Sequence, residues 1–174
     1  DNVVVFIGEV EEIAAQRGGE PPTALQGVTN ELLKLIPMFR ERPGRLLIVA
    51  TNFIRALDDA FLRHGRFDYV IPIGLPDAQA RESIWRRYIP AHALESVDVP
   101  ELVARTDGFS PADIEFAARK ASQRALEAAV YSANTDTQGP TTEDYLVSIG
   151  DTRMTVSSEM VGQFFEDIEA LARL

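Results

Sequence analysis

Four side chains in this sequence are of the types that phosphoryl transfer to water requires: a carboxylate at Glu9, an amide at Asn52, and guanidinium groups at Arg63 and Arg66. That reaction is mostly positioning plus charge stabilisation. It needs a group that orients the attacking water and cations that neutralise the transition state. Their placement makes the set worth pursuing. Glu9 follows the apolar run Val3–Ile7 after a single glycine, and Asn52 follows the apolar run 46–50 after a single threonine. The arginines lie in RHGRFD, residues 63–68, just ahead of a further candidate strand at Tyr69–Ile73. In open α/β sheets, ligands bind in the crevice beyond the carboxyl ends of the strands.

The elements that must position these groups are legible as patterns. Val3–Ile7 and LLIVA, residues 46–50, are short, continuous and β-branched, so both are expected as fully buried strands. Between them, Leu25, Val28, Leu32, Leu35 and Ile36 recur at helical spacing within Thr23–Met38. Strand, helix and strand, with both strands apolar, predict a βαβ unit and a parallel sheet. A short helical turn is expected near Asp58–Leu62, before the third strand.

From Pro76 the pattern is helical throughout. Asp77 is placed to cap a helix running to about Ile89, and Asp98 with Pro100 opens a short one. Ser110-Pro111-Ala112-Asp113 combines a Ser cap, Pro at the first helical position and an acid at the third, and predicts a helix to about Ser132. Residues 133–140 read as a polar connector. Thr141 caps a helix to Ser148, and Ser157 opens the last one. That last helix carries Val161, Phe164, Phe165, Ile168, Leu171 and Ala172 on one face, expected to point at the core. The fold class is therefore α/β: part of a parallel-sheet domain over residues 1–75, then an all-helical subdomain over residues 76–174.

Composition narrows the function. The 174 residues carry a net charge of −10; residues 1–90 hold 11 Lys+Arg against 12 Asp+Glu, and the remainder holds 6 against 15. A nucleic-acid binder would show a basic face and a membrane anchor a basic run, so neither partner is expected. There is no apolar run of 18 residues and no recognisable leader. The absence of cysteine removes disulfides, thiolate metal sites and cysteine nucleophiles, and fits a cytoplasmic protein.

The string TNFIRALDDAFLRHGRFDYVIPIGLPDAQAR, residues 51–81, resembles the second region of homology of AAA ATPases, the family of valosin-containing protein, katanin and the FtsH proteases. DGFSPADIEFAARKAS, residues 107–122, is similar to the family's lid segment, and TTEDY with the acidic last helix resembles its C-terminal end. The resemblance covers nearly the whole chain and implies a partial P-loop NTPase core followed by a helical lid. It implies ATP and Mg²⁺ as cofactors, a ring of protomers, hexameric in most relatives, and a protein substrate to be remodelled or unfolded. By the same resemblance Glu9 polarises the attacking water, Asn52 is the sensor that holds it, and Arg63 and Arg66 reach the γ-phosphate of the neighbouring protomer. Pro111 and Ala112 fall where the lid touches nucleotide, and Ile84 and Tyr88 near the adenine. The valosin-containing type is the expected subtype, because no HExxH protease motif occurs in the chain.

Two departures matter. Gly8 stands where the family has an aspartate that helps to hold Mg²⁺, so no side chain here is assigned to the metal. Pro111 stands where the lid has a glycine, which removes one backbone N–H. Moreover, no G-x-x-x-x-G-K-[ST] loop, the usual phosphate cradle, occurs in the 174 residues. The expectation is that the chain is the C-terminal part of a longer module, and that alone it neither hydrolyses ATP nor binds it tightly. The alternative is a degenerate module with a structural or regulatory role, which lends its arginines to a neighbour.

Taken singly, each residue also has an ordinary explanation. Glu9 suits a helix start, Asn52 a turn, and Arg63 and Arg66 surface ion pairs. Core packing explains Ile84 and Tyr88 equally well. His64 and His92 lack ligand-like neighbours in sequence and are expected to be structural or solvent-facing.

Overall fold

In a computed structural model of the chain, residues 2–14, 24–131 and 139–173 are described, with side chains of the second stretch described from residue 27. The predicted connector at 133–140 falls largely outside them. The described residues form two compact units, Asp1–Pro72 with Phe164–Leu174, and Ile73–Gln163.

The first unit is built on strands β1 (Val3–Ile7) and β2 (Arg45–Val49), paired in parallel with Val3 opposite Arg45 and Ile7 opposite Val49. The crossover contains helices α1 (Glu11–Ala14) and α2 (Ala24–Arg40). A single 3-10 turn at Ile54–Ala56 and helix α3 (Asp59–Leu62) follow β2. Asp58 caps α3 by accepting from the Ala60 amide at 2.8 Å. The buried core is Val10, Ala14, Leu33, Ile36, Leu57, Ala60 and Phe61, against which Ile7, Leu47 and Val49 pack from one face of the sheet.

Three expectations are corrected here. The strands are not fully buried: Val4, Phe6, Leu46 and Ile48 are exposed, because the described residues cover only the other sheet face. The buried stripe of α2 comprises Thr29, Leu33 and Ile36, whereas Val28 and Leu35 are about half exposed. Tyr69–Ile73 forms no third strand. Its ladder among the described residues is one antiparallel bridge, Val70 with Arg173, and Tyr69, Ile71 and Ile73 stay exposed. A strand needs a partner's backbone along its length, and a single bridge does not supply one.

The second unit is helical: α4 (Ala78–Tyr88), α5 (Val99–Arg105), α6 (Pro111–Tyr131), α7 (Thr142–Gly150) and the start of α8 (Ser158–Leu171). The predicted caps are present. Asp77 accepts from the Ala80 amide, Asp98 from the Glu101 amide, and Thr141 and Asp144 form a reciprocal capping box. The core holds Trp85, Leu102, Phe109, Ile114, Ala117, Ala121 and Tyr145, with the Trp85 and Tyr145 rings edge-on, centroids 5.6 Å apart. Trp85 Nε1 donates to Thr106 Oγ1 at 3.2 Å, so the indole is buried without an orphaned donor.

Helix α8 departs from its expected role. No residue of it is buried, Phe165 is exposed, and its second half, from Phe164, groups with the first unit instead of the helical one. In this half Arg55 pairs with Glu166 at 2.8 Å and with Asp167 at 2.6 Å, and Phe164, Ile168 and Leu171 are partly buried; just beyond the helix Val70 and Arg173 exchange backbone bonds. No helix among the described residues is long and apolar enough to cross a membrane.

Candidate functional site

The two loops that carry Glu9 and Asn52 are clamped to one residue. Ala50 donates to the Ile7 carbonyl at 2.8 Å, and its own carbonyl accepts from the Val10 amide at 3.1 Å. Gly8 and Glu9 are thus a two-residue excursion between two bonds to Ala50, and Thr51-Asn52 begins at the same point. Glu9 adopts a positive φ of 52°, where a side chain crowds its own backbone, and it is exposed. Left-handed backbone at a non-glycine residue costs about 1–2 kcal/mol. Such a cost persists only where surrounding structure imposes it, and the paired bonds to Ala50 do so.

Gly8 leaves room. Among the described residues a Cβ built there meets only the Phe6 ring, at 3.5 Å, an ordinary contact. The glycine is therefore not required by crowding, and nothing in its surroundings explains it.

Glu11, which the sequence reading did not single out, joins the two loops. Its Oε1 accepts from the Asn52 amide at 3.2 Å. The Thr51 hydroxyl beside it favours the charged form and holds the carboxyl below the ordinary glutamate range. Thr51 Oγ1 also accepts from the Phe53 amide at 3.0 Å, which closes the turn around Asn52. Acids at 9, 11 and 12 look alike in sequence as a helix start. Only the partner 41 residues away distinguishes Glu11.

The arginine loop is braced from two sides. Arg40, at the end of α2, donates to the Gly65 carbonyl and pairs with the Asp68 carboxylate. Arg173 donates to the Leu62 carbonyl. Within that frame Arg63 is exposed and has no ion-pair partner among the described residues, while Arg66 is half-buried and donates to the Ala60 carbonyl. The two arginines are therefore not equivalent. Arg63 is available to a partner, whereas Arg66 also holds its own loop.

The other expected residues belong to the second unit. Pro111 and Ala112 are the exposed first residues of α6. Ile84 and Tyr88 are partly buried and packed against the helical core. The Tyr88 hydroxyl donates to Glu115 at 2.9 Å, and that bond, helped by burial, raises its pKa. Glu115 lies one turn beyond Ala112, so Tyr88 and Ala112 share one side of the start of α6. Directly behind them, Asp113 is buried and accepts from the amide and hydroxyl of Ser110 and from those of Thr155. His64 and His92 are exposed.

The described residues do not fit a magnesium site by themselves. Gly8 offers no side-chain oxygen, Glu11 is engaged by Asn52, and no group of three His, Asp or Glu ligands occurs among them. What they do bring together is a carboxylate and an amide, Glu9 and Asn52, on two loops that both start from Ala50.

Comparison with known proteins bears on the family. Residues 1–75 match the family model of the ATPase family associated with various cellular activities (AAA), and residues 96–137 match that of the AAA+ lid domain. An ATP-dependent zinc metalloprotease FtsH of Mycoplasmopsis synoviae is 38% identical over 64% of the chain, and one of Malacoplasma penetrans is 28% identical over 98% of it. The human ATP-dependent zinc metalloprotease YME1L1 is 37% identical over 73% of the chain. These relatives are metalloproteases by name, whereas the valosin-containing type was the expected subtype. The chain spans only 16–23% of their lengths.

Proposed function

This chain belongs to the AAA family of ATPases, and from that membership we propose that it supplies the water-activating edge and the helical lid of an ATP-hydrolysing module within a longer protein. The module works in a ring oligomer, a hexamer in this reading, and couples ATP binding and hydrolysis to remodelling of a protein substrate. The observation that carries the reading is the clamp at Ala50, which holds Glu9 and Asn52 on adjoining loops.

Each group has its part. Glu9 orients a water and accepts its proton as the γ-phosphorus is attacked. Asn52 holds that water through its amide. Arg63 offers its exposed guanidinium to the phosphate bound by the next protomer, where charge builds in the transition state. Arg66 keeps the loop in shape and adds charge to it. In the lid, the start of α6 with Tyr88 forms a wall for the nucleotide. ATP is the substrate, and Mg²⁺ when bound neutralises its phosphates; no step is assigned to a metal here, because Gly8 removes the expected ligand.

Gly8 favours a second reading, a silenced module kept for assembly and for the arginine it lends. Steady-state ATP hydrolysis by the longer protein, beside its Gly8→Asp variant, separates the two. A Cβ at Gly8 makes only ordinary contact with the described residues. Mg²⁺-dependent turnover in the unmodified protein supports the first reading. Turnover in the Gly8→Asp form alone supports the second, and none in either form rejects the ATPase assignment.

A further inference from the structure

We propose that Glu11 is a positioning residue: its carboxylate fixes the Asn52 loop against the turn that carries Glu9. The inference rests on the reading of Glu9 and Asn52 as the water-facing pair, and adds the group that sets their relative placement.

Three observations carry it. The first is the bond from the Asn52 amide to Glu11 Oε1, at 3.2 Å across 41 residues of sequence. Glu11 takes a bond from its own backbone amide, as a helix-start acid does, and adds one from the end of the other strand. The second observation is the other oxygen. Glu11 Oε2 is buried and makes no hydrogen bond with the described residues. A solvated acid would turn that oxygen to water, since burying it unpaired is unfavourable. Oε2 is instead turned away from solvent, toward the residues around it. The third is Thr51, whose hydroxyl stands beside the carboxyl and also closes the turn at Phe53. Backbone amide, hydroxyl and carboxylate thus form one network around the residue whose side chain must meet water.

Glu11 touches neither water nor phosphate in this account. It acts through Asn52, and a displacement of about 1 Å at a reacting centre can lower the rate by up to about a hundredfold.

The test has two arms. In the chain itself, amide hydrogen exchange at Asn52 is compared among the unmodified protein, Glu11→Ala, Glu11→Gln and the exposed control Glu12→Ala. Loss of the acceptor in Glu11→Ala is expected to speed exchange at Asn52 about five- to tenfold while Leu47 in β2 is unchanged. Glu11→Gln, which keeps a carbonyl acceptor, should restore most of the protection, and Glu12→Ala should have no effect. Unchanged exchange at Asn52 in folded Glu11→Ala overturns the proposal. Should that variant not fold, acid titration of the unmodified chain decides. The Asn52 amide resonance moves with the carboxyl, below the ordinary glutamate range, or the proposal fails. The second arm is kinetic, in the longer protein: Glu11→Ala lowers kcat about tenfold with KM within about twofold, and Glu11→Gln recovers most of it. An equal loss in both variants, with Asn52 protection intact, overturns the positioning role. Absence of turnover in the unmodified protein rejects the ATPase reading and leaves the exchange result to decide this one.

Discussion

The Val10 amide donates to the Ala50 carbonyl at 3.1 Å, and this bond closes the turn on which Glu9 stands. Ala50 is at once the last residue before Thr51-Asn52 and the anchor of the Gly8-Glu9 excursion. The two loops share an origin, so a shift in either strand moves both. The positive φ of Glu9 belongs to the same arrangement. The site is built where the paired strands end.

The two arginines should separate on mutation. Arg63 is exposed, so Arg63→Ala should leave stability within about 0.5 kcal/mol, while a finger role makes it cost about 10³-fold or more in turnover. Arg66→Ala also removes the bond to the Ala60 carbonyl and should lower stability by about 1 kcal/mol. Urea unfolding beside ATPase assays of both variants checks this. Equal stability loss in the two contradicts it.

The helical unit should depend on Trp85. The ring is fully buried against Tyr145, and its Nε1 is satisfied by Thr106. Trp85→Ala should cost about 3–5 kcal/mol by denaturant titration. Trp85→Phe loses the Thr106 bond and part of the ring, and should cost less. A loss below 1 kcal/mol for Trp85→Ala, on the scale of a surface change, would mean that the core is organised otherwise.

Asp113 gives the unit an acid limit. Burial pushes its carboxyl up, but bonds from Ser110 and Thr155 outweigh that, and the group is held below its ordinary value. A depressed carboxyl stabilises the folded form above its unfolded pKa. That contribution is lost as pH falls through the lower folded value. Stability of the unmodified chain should therefore fall as pH drops below the ordinary aspartate range, and the corresponding loss should shrink in Asp113→Asn. Parallel pH profiles for the two proteins would contradict the assignment.

How much of this was legible in the sequence depends on how far each interaction reaches. Caps at Asp77, Asp98, Ser110 and Thr141 are bonds across three residues, and local spelling gives them away. The parallel pair β1–β2 was also readable, because apolar runs flanking a helical stripe admit few arrangements. Burial was not. Whether Val4 or Ile48 is covered depends on what packs over the sheet, and whether Tyr69–Ile73 becomes a strand depends on a neighbour's backbone. The last helix reads as core-facing because its apolar spacing is helical; that face is only partly buried, and the pairing of its second half with Arg55, far away in sequence, is not local. At the site, Glu9, Asn52 and the arginines could be found because they follow strands or sit in a long ordered motif. Glu11 could not, since its partner lies 41 residues on, and neither could the difference between Arg63 and Arg66, which comes from one bond to Ala60.

The most direct measurement is single-turnover ATP hydrolysis by the longer protein with Glu9→Gln. Glutamine keeps the size of the side chain and removes the base. The account predicts that hydrolysis falls about 10²–10⁴-fold while nucleotide affinity stays within a few-fold of the unmodified protein. Hydrolysis at the unmodified rate in Glu9→Gln would contradict it, and would show that the turn held by Ala50 is not where water is activated.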